Sequence, residues 1–171
     1  MEVLDFIQSN IRSDFLDAVM PVITRLGDGG VIWIAIALIF IATKKYRTEG
    51  FAILTALLMH LLVCNIIMKP LVARIRPCDI NTAIELLIPR PADYSFPSGH
   101  SSASFAASAV ILYANKRMGM IAFIFAAAIA FSRLYLYVHY PSDVLGGIVL
   151  GVVFGVLSRR IVAKYIRYGV R

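Results

Sequence analysis

The sequence predicts an all-α fold, a polytopic transmembrane helical bundle of five clear spans plus an N-terminal amphipathic helix. Three observations lead there. Of the 171 residues, 60% are hydrophobic and the mean hydropathy is +0.80, whereas a soluble domain is nearer half apolar. The apolar residues fall in long runs separated by short loops. Those loops carry most of the 17 Lys and Arg residues, so the net charge of +7 is a topology signal rather than a nucleic-acid footprint, and no nucleic-acid partner is expected. The chain, 1–171, reads as a single integral membrane domain.

The first ten residues, MEVLDFIQSN, hold two acids and no Lys or Arg, unlike the basic start of a secretory leader. From Ser13 to Leu26, apolar Phe15, Leu16, Val19, Ile23 and Leu26 recur at helical spacing on one face. Ser13 suits the N-cap, and Asp14 and Asp17 the first turn. Acids on the other face argue for a helix lying in the interface. Residues 1–27 thus form an amphipathic segment, or a sixth span if the helix dips through the bilayer. GDGG, Gly27 to Gly30, is a turn.

Spans follow at roughly Gly29–Thr43, Phe51–Met68, Ser101–Ala114, Gly119–Tyr137 and Asp143–Val162. The first and third are short against the ~20 residues a bilayer requires; the third gains length if its first turn begins near Ser98. Cys64 lies in the second span and Cys78 in a loop, and no disulfide is expected between them. The one long loop, 69–97, joins the second and third spans, and a loop of that length in a compact bundle is usually functional.

Alternating spans put Lys44, Lys45, Arg47, Lys116, Arg117, Arg159, Arg160, Lys164, Arg167 and Arg171 on one side, which is cytoplasmic by the positive-inside tendency. The C-terminus is then cytoplasmic. The 69–97 loop, the His139–Ser142 turn and nine of the ten acids, all but Glu49, face the outside of a plasma (inner) membrane.

Three clusters meet on that outer side: KPLVARIRP with Lys69, Arg74 and Arg76; PSGH, Pro97 to His100; and SRLYLYVHYPSD with Ser132, Arg133, His139 and Asp143. Arg133 lies a turn or so inside its span, where charge is tolerated mainly toward the bundle interior or a wet cavity. Arginine forks match phosphate oxygens, and a lysine adds a point charge. Gly99 admits close backbone approach, Ser98 offers a hydroxyl, and a helix start presents free N–H groups to an anion. The set describes a receptor for a dense anion.

Binding alone needs neither two histidines nor an acid. Asp143, four residues after His139, is placed to fix the imidazole tautomer and leave the other nitrogen free to attack phosphorus. His100 then serves as the acid for the departing oxygen and as the base for water. Three fixed cations serve in place of a metal. The chain shows no CxxC or HExxH spacing, and no metal or cofactor is expected.

KxxxxxxRP from Lys69 to Pro77, PSGH, and SRxxxxxHxxxD from Ser132 to Asp143 together resemble the three-part signature of the type 2 phosphatidic acid phosphatase superfamily, in order and with its internal spacing. The resemblance implies a helical bundle and metal-independent hydrolysis of a membrane lipid phosphate or diphosphate through a phosphohistidine. It makes His139 the nucleophile, Asp143 its partner and His100 the general acid. Lys69, Arg76, Ser98, Gly99 and Arg133 become phosphate ligands, while Arg74, outside the motif, is peripheral. A phosphotransferase using the same phosphohistidine and a small anion transporter remain alternatives at this point.

Other polar residues have structural readings. His60, in LLMHLLVC, and Asn65 are expected as hydrogen-bonded contacts between helices. SSASFAAS and the series Gly146, Gly147, Gly151, Gly155 suit close helix packing. Tyr135, Tyr137 and Tyr140 fit an outer aromatic belt, and IELLIP, Ile84 to Pro89, is expected to border the path by which lipid reaches the site.

Overall fold

The computed structural model describes residues 1–168, and among them the regular elements are all helical. Arg171 and the side chain of Arg167, both counted among the basic charges above, lie outside the described residues. The first helix, α1 (Glu2–Asn10), falls in the expected amphipathic segment but ahead of the one helix read there from Ser13; it buries Leu4 and Ile7. In α2 (Asp14–Leu26), the Ser13 hydroxyl accepts from the Leu16 N–H, and Asp14 and Asp17 fill the first turn, as the capping rules require. Gly29 and Gly30 turn the chain with φ of 58° and 67°, values that favour glycine.

The helix α3 (Val31–Ala42) is followed by α4, which begins as Arg47–His60, continues as a π-helical stretch Leu61–Met68 and ends as Lys69–Val72. The expected loop start at Lys69 is therefore a correction: Lys69 is on the helix, and Ala73, at φ 49°, ends it. A single helical turn, Pro77–Ile80, interrupts the loop. Then come α5 (Gly99–Ala114), α6 (Lys116–Tyr135) and α7 (Pro141–Tyr168).

Three stretches, Lys44–Ile80, Lys116–Tyr135 and Pro141–Ile166, are long and apolar enough to cross a bilayer; α2 with the helix after it, bent by 43°, makes a fourth. This identifies a multi-pass membrane protein, but length and composition do not reproduce five spans. The physical reason is that α3 has 12 residues and α5 has 16, both below the usual span.

The short α5 forms the centre of the bundle, and its small residues explain why. Gly147, Gly151 and Gly155 of α7 press directly on the α5 backbone. A Cβ on them would stand 2.6, 2.4 and 2.6 Å from the carbonyl oxygens of Ser98, Ser102 and Ala106. Trp33 of α3 donates its indole N–H to Ser104 of α5 at 3.0 Å. At the far end of the bundle, Arg159 of α7 pairs with Glu49 of α4 at 3.0 Å.

The tyrosines correct another expectation. Tyr135 and Tyr137 are 1% and 0% exposed and do not form a belt. Their hydroxyls donate to Asp17 of α2 and Asp5 of α1, so they fasten the N-terminal helices to the end of α6. A buried phenol keeps its place when its O–H finds such a partner.

Because the Gly151 contact is with backbone, which cannot move aside, Gly151→Val should destabilise the fold by about 1–3 kcal/mol. Thermal unfolding of the detergent-purified variant, showing a midpoint several degrees lower, is the check.

Candidate active site

A cavity of about 790 Å³ opens at the end of the bundle where α4, α5 and the α6–α7 turn meet. Its polar wall carries Lys69, Arg76, Gly99, His100, Arg133 and His139. Its apolar wall carries Ile34 of α3 and Leu54, Leu57, Leu58 and Leu61 of α4. Ile88 and Pro89 of the IELLIP segment also line it. Residues from three separated motifs thus face one space.

Local structure sets each group. Tyr137 reverses the chain after α6 with φ of 60°, and Pro141 opens α7. Asp143 reaches back to accept the Tyr140 N–H at 2.9 Å, the geometry of a capping box. Both devices bring Asp143 beneath His139, which is 1% exposed.

The His139 Nδ1 lies 3.4 Å from Ser95 Oγ and 3.5 Å from Asp143 Oδ2. Ser95 itself donates to Asp143. The His139 Nε2 lies 3.2 Å from Arg76 Nη1. Because a guanidinium only donates, the hydrogen-bond network assigns the proton to Nδ1 and leaves Nε2 unprotonated, its lone pair accepting from Arg76. Burial lowers the His139 pKa from its ordinary 6.5; Asp143 opposes this, and the Arg76 and Arg133 charges reinforce it. The ring is neutral at pH 7.

Arg76 is 2% exposed. Its Nη1 donates to the Val138 carbonyl at 2.7 Å. Its Nε and Nη2 donate to the Asp93 carbonyl and carboxylate, each at 2.7 Å. The other Asp93 oxygen pairs with Lys69. Asp93 is 54% exposed and bridges the two cations from the cavity side. Burial raises the Asp93 pKa, but the hydrogen bond and charge of Lys69, then Arg76, outweigh it and hold the carboxyl at about 2.

Arg133 is 4% exposed and donates to Thr24 of α2, while its Nε has no hydrogen-bond partner. It is buried beside the cavity rather than extended to the interface. His100 Nε2 lies 2.8 Å from Asp28 Oδ1 in the GDGG turn. Among the described residues, no group of three His, Cys, Asp or Glu side chains is placed to hold a metal ion.

Ser98 and Asp143 stand behind the cavity wall. The Ser98 hydroxyl is fully buried and accepts from the Ser101 N–H and O–H, so it caps α5. Arg74, expected as peripheral, donates to Asp143 Oδ1 at 2.6 Å and stacks on Tyr140, its guanidinium carbon 3.9 Å from the ring centroid. His60 and Asn65 correct their reading as hydrogen-bonded interhelical contacts. Both line the cavity, and no partner meets His60 Nδ1 or Asn65 Oδ1. Sequence reasoning also missed Asp93, Ser95 and Asp28. The visible signal for Asp93 was an acid in ADYSFPSGH, close before a motif otherwise made for anions.

Fold and site define a polytopic helical membrane protein that gathers cations and two imidazoles around one cavity at a bundle end. The sequence pattern of the PAP2 superfamily matches residues 49–167, and the chain belongs to that superfamily. It is 32% identical over 131 residues to an undecaprenyl-diphosphatase of Sulfolobus acidocaldarius, covering 76% of this chain and 63% of that protein. It is 31% identical over 153 residues to undecaprenyl-diphosphatase BcrC of Bacillus subtilis, covering 87% of this chain and 76% of that one. The crystal structure of Aquifex aeolicus LpxE superposes with a TM-score of 0.79 at 25% identity, covering 93% of both chains.

An anion that takes Lys69 and Arg76 must displace the Asp93 carboxylate. Asp93→Asn should therefore tighten inorganic phosphate binding about two- to fivefold, the scale of a half-exposed ion pair. Since the carboxyl titrates near 2, the ratio of variant to wild-type affinity should stay constant from pH 5 to 8. Calorimetric titration with phosphate measures both.

Proposed function

We propose that the protein hydrolyses a membrane lipid phosphate or diphosphate, without a metal, through a phosphohistidine on His139 at the outer membrane face. The observation that carries this reading is the placement of His139. Its imidazole is buried, with Nδ1 beside Ser95 and Asp143 and Nε2 beside Arg76 at a cation-lined cavity. Relatives named as undecaprenyl-diphosphatases support a lipid substrate bearing phosphate.

The chemistry runs in two displacements. His139 Nε2 attacks phosphorus, an N–P bond forms, and the P–O bond to the lipid breaks. His100 gives its proton to the departing oxygen. His100 then takes a proton from water, whose oxygen attacks phosphorus and releases His139 and inorganic phosphate. Lys69, Arg76 and Arg133 neutralise charge on the transferring phosphoryl. Gly99, at the start of α5, lets phosphate approach the free backbone N–H groups. Ser98 serves by capping that helix, and Asp143, with Ser95, fixes the His139 tautomer.

The chain acts as one domain that crosses the plasma membrane five times, with α1 and α2 on the outer surface. The Glu49–Arg159 pair and the C-terminus lie on the cytoplasmic side, in keeping with the basic loops there.

His139→Ala should lower phosphate release from lipid substrates at least ~1,000-fold while leaving thermal unfolding close to wild type. Wild-type activity should persist in excess EDTA, and acid-quenched turnover should yield an acid-labile, base-stable phosphoprotein absent from the variant. Full activity of His139→Ala, or a strict need for a divalent metal, overturns the reading.

A further inference from the structure

We propose that His60 and Asn65 form, beside Lys69, a second polar subsite that receives the lipid-linked phosphate of a diphosphate substrate. This rests on the lipid phosphatase reading and narrows its substrate class.

The π-helical stretch of α4, Leu61–Met68, creates the site. In an α-helix of 3.6 residues per turn, a residue five positions on is turned about 140° away. The i→i+5 pattern of a π-helix returns it to the same face. His60 and Asn65 are five apart, and Lys69 follows four later. All three consequently line one cavity wall.

They surround the bare backbone of Gly99. A Cβ there would stand 3.4 Å from Asn65 Oδ1, 3.6 Å from His60 Cε1 and 3.8 Å from Lys69 Nζ. His60 is only 8% exposed, yet its Nδ1 has no hydrogen-bond partner, and neither has Asn65 Oδ1. Buried polar atoms are rarely left so without a reason, and π-helical stretches concentrate at functional sites.

The order along α4 identifies the ligand. Leu54, Leu57, Leu58 and Leu61 line the cavity along the earlier part of this wall, with Leu58 and Leu61 54% and 47% exposed. His60, beside Leu61, and then Asn65 follow, and Lys69 comes last. A substrate laid along this wall rests its chain on the leucines and its terminal phosphate between Lys69 and Arg76. The group between them faces His60 and Asn65. In a diphosphate that group is the phosphate that stays with the lipid, and its oxygens accept from an imidazole N–H and from the Asn65 amide after rotation about its last bond. In a monophosphate ester the same place holds carbon, which leaves both side chains unsatisfied. Sites built on hydrogen bonds discriminate strongly against analogues that lack them.

The test compares kcat/KM for a polyprenyl diphosphate and the matching polyprenyl monophosphate in one detergent, for wild type, His60→Leu, Asn65→Leu and His60→Gln. Wild type should favour the diphosphate. His60→Leu and Asn65→Leu should each cut that preference at least tenfold, and His60→Gln, which restores a donor, should recover part of it. Because the preference is a ratio within one preparation, loss of folded protein does not alter it. Equal losses on both substrates, an unchanged ratio, or a wild type that favours the monophosphate overturns the inference and leaves the phosphatase reading standing. No release by wild type from either polyprenyl lipid overturns the inference, and the phosphatase reading falls with it when other membrane lipid phosphates are left intact as well.

Discussion

Burial of the Arg76 guanidinium at the end of an apolar bundle is the constraint from which the site's geometry follows. Removing a charge from water costs several kcal/mol unless its hydrogen bonds are remade. Arg76 remakes them with Asp93, Tyr94, Val138 and His139. Those acceptors belong to two different pieces of chain, the segment before α5 and the turn before α7. Satisfying one arginine therefore draws the two pieces together. The backbone bond from the Ser98 N–H to the Asp143 carbonyl, 3.0 Å, closes the same seam. His139 is held where it is by the need to satisfy a charge as much as by the packing around its own ring.

The turn carrying His139 is held from behind as well. Tyr137, at φ 60°, is in a conformation that costs a non-glycine residue of order 1–3 kcal/mol and persists only where its surroundings over-determine it. Its buried phenol donates to Asp5, Tyr135 donates to Asp17, and the Tyr135 carbonyl accepts from Gln8 at 2.7 Å. The amphipathic N-terminal segment thus has a structural part in the site. It braces the turn through α1 and α2, supplies Thr24 to Arg133, and ends in the Asp28 that meets His100.

The sequence made some of this visible and hid the rest for identifiable reasons. The helical character and the cationic and imidazole residues were legible, because runs of apolar residues force helix formation in a bilayer and alternating spans bring their ends to one side. Lys69, Arg76, Gly99, His100, Arg133 and His139 do line a common cavity. Asp93, Ser95 and Asp28 were hidden because each gains its meaning from a partner in another segment. Ser98 carried a hydroxyl that suited an anion, yet helix capping had the prior claim on it. Tyr135 and Tyr137 fit an interfacial pattern that the N-terminal acids overrode. The π-helical stretch has no clear mark in LLVCNIIM, so the shared face of His60 and Asn65 emerges only from the backbone.

The brevity of α5, which defeats a simple span count, bears on how deep the site lies. Sixteen residues rise about 24 Å, against a hydrocarbon core near 30 Å. On the proposed orientation, Lys116 and Arg117 fix the other end of α5 at the cytoplasmic boundary. Gly99 and His100 then lie below the outer surface, and the Ser98 N–H to Asp143 carbonyl bond keeps the start of α7 level with them. The cation-lined cavity is then a recess within the bundle rim. Its apolar wall runs down along Leu61, Leu58, Leu57 and Leu54 of α4, toward the depth at which a lipid chain already resides. On the lipid phosphatase reading proposed above, a headgroup enters such a recess while its chain stays among other chains, so binding forfeits little of the hydrophobic free energy that holds the lipid in the membrane.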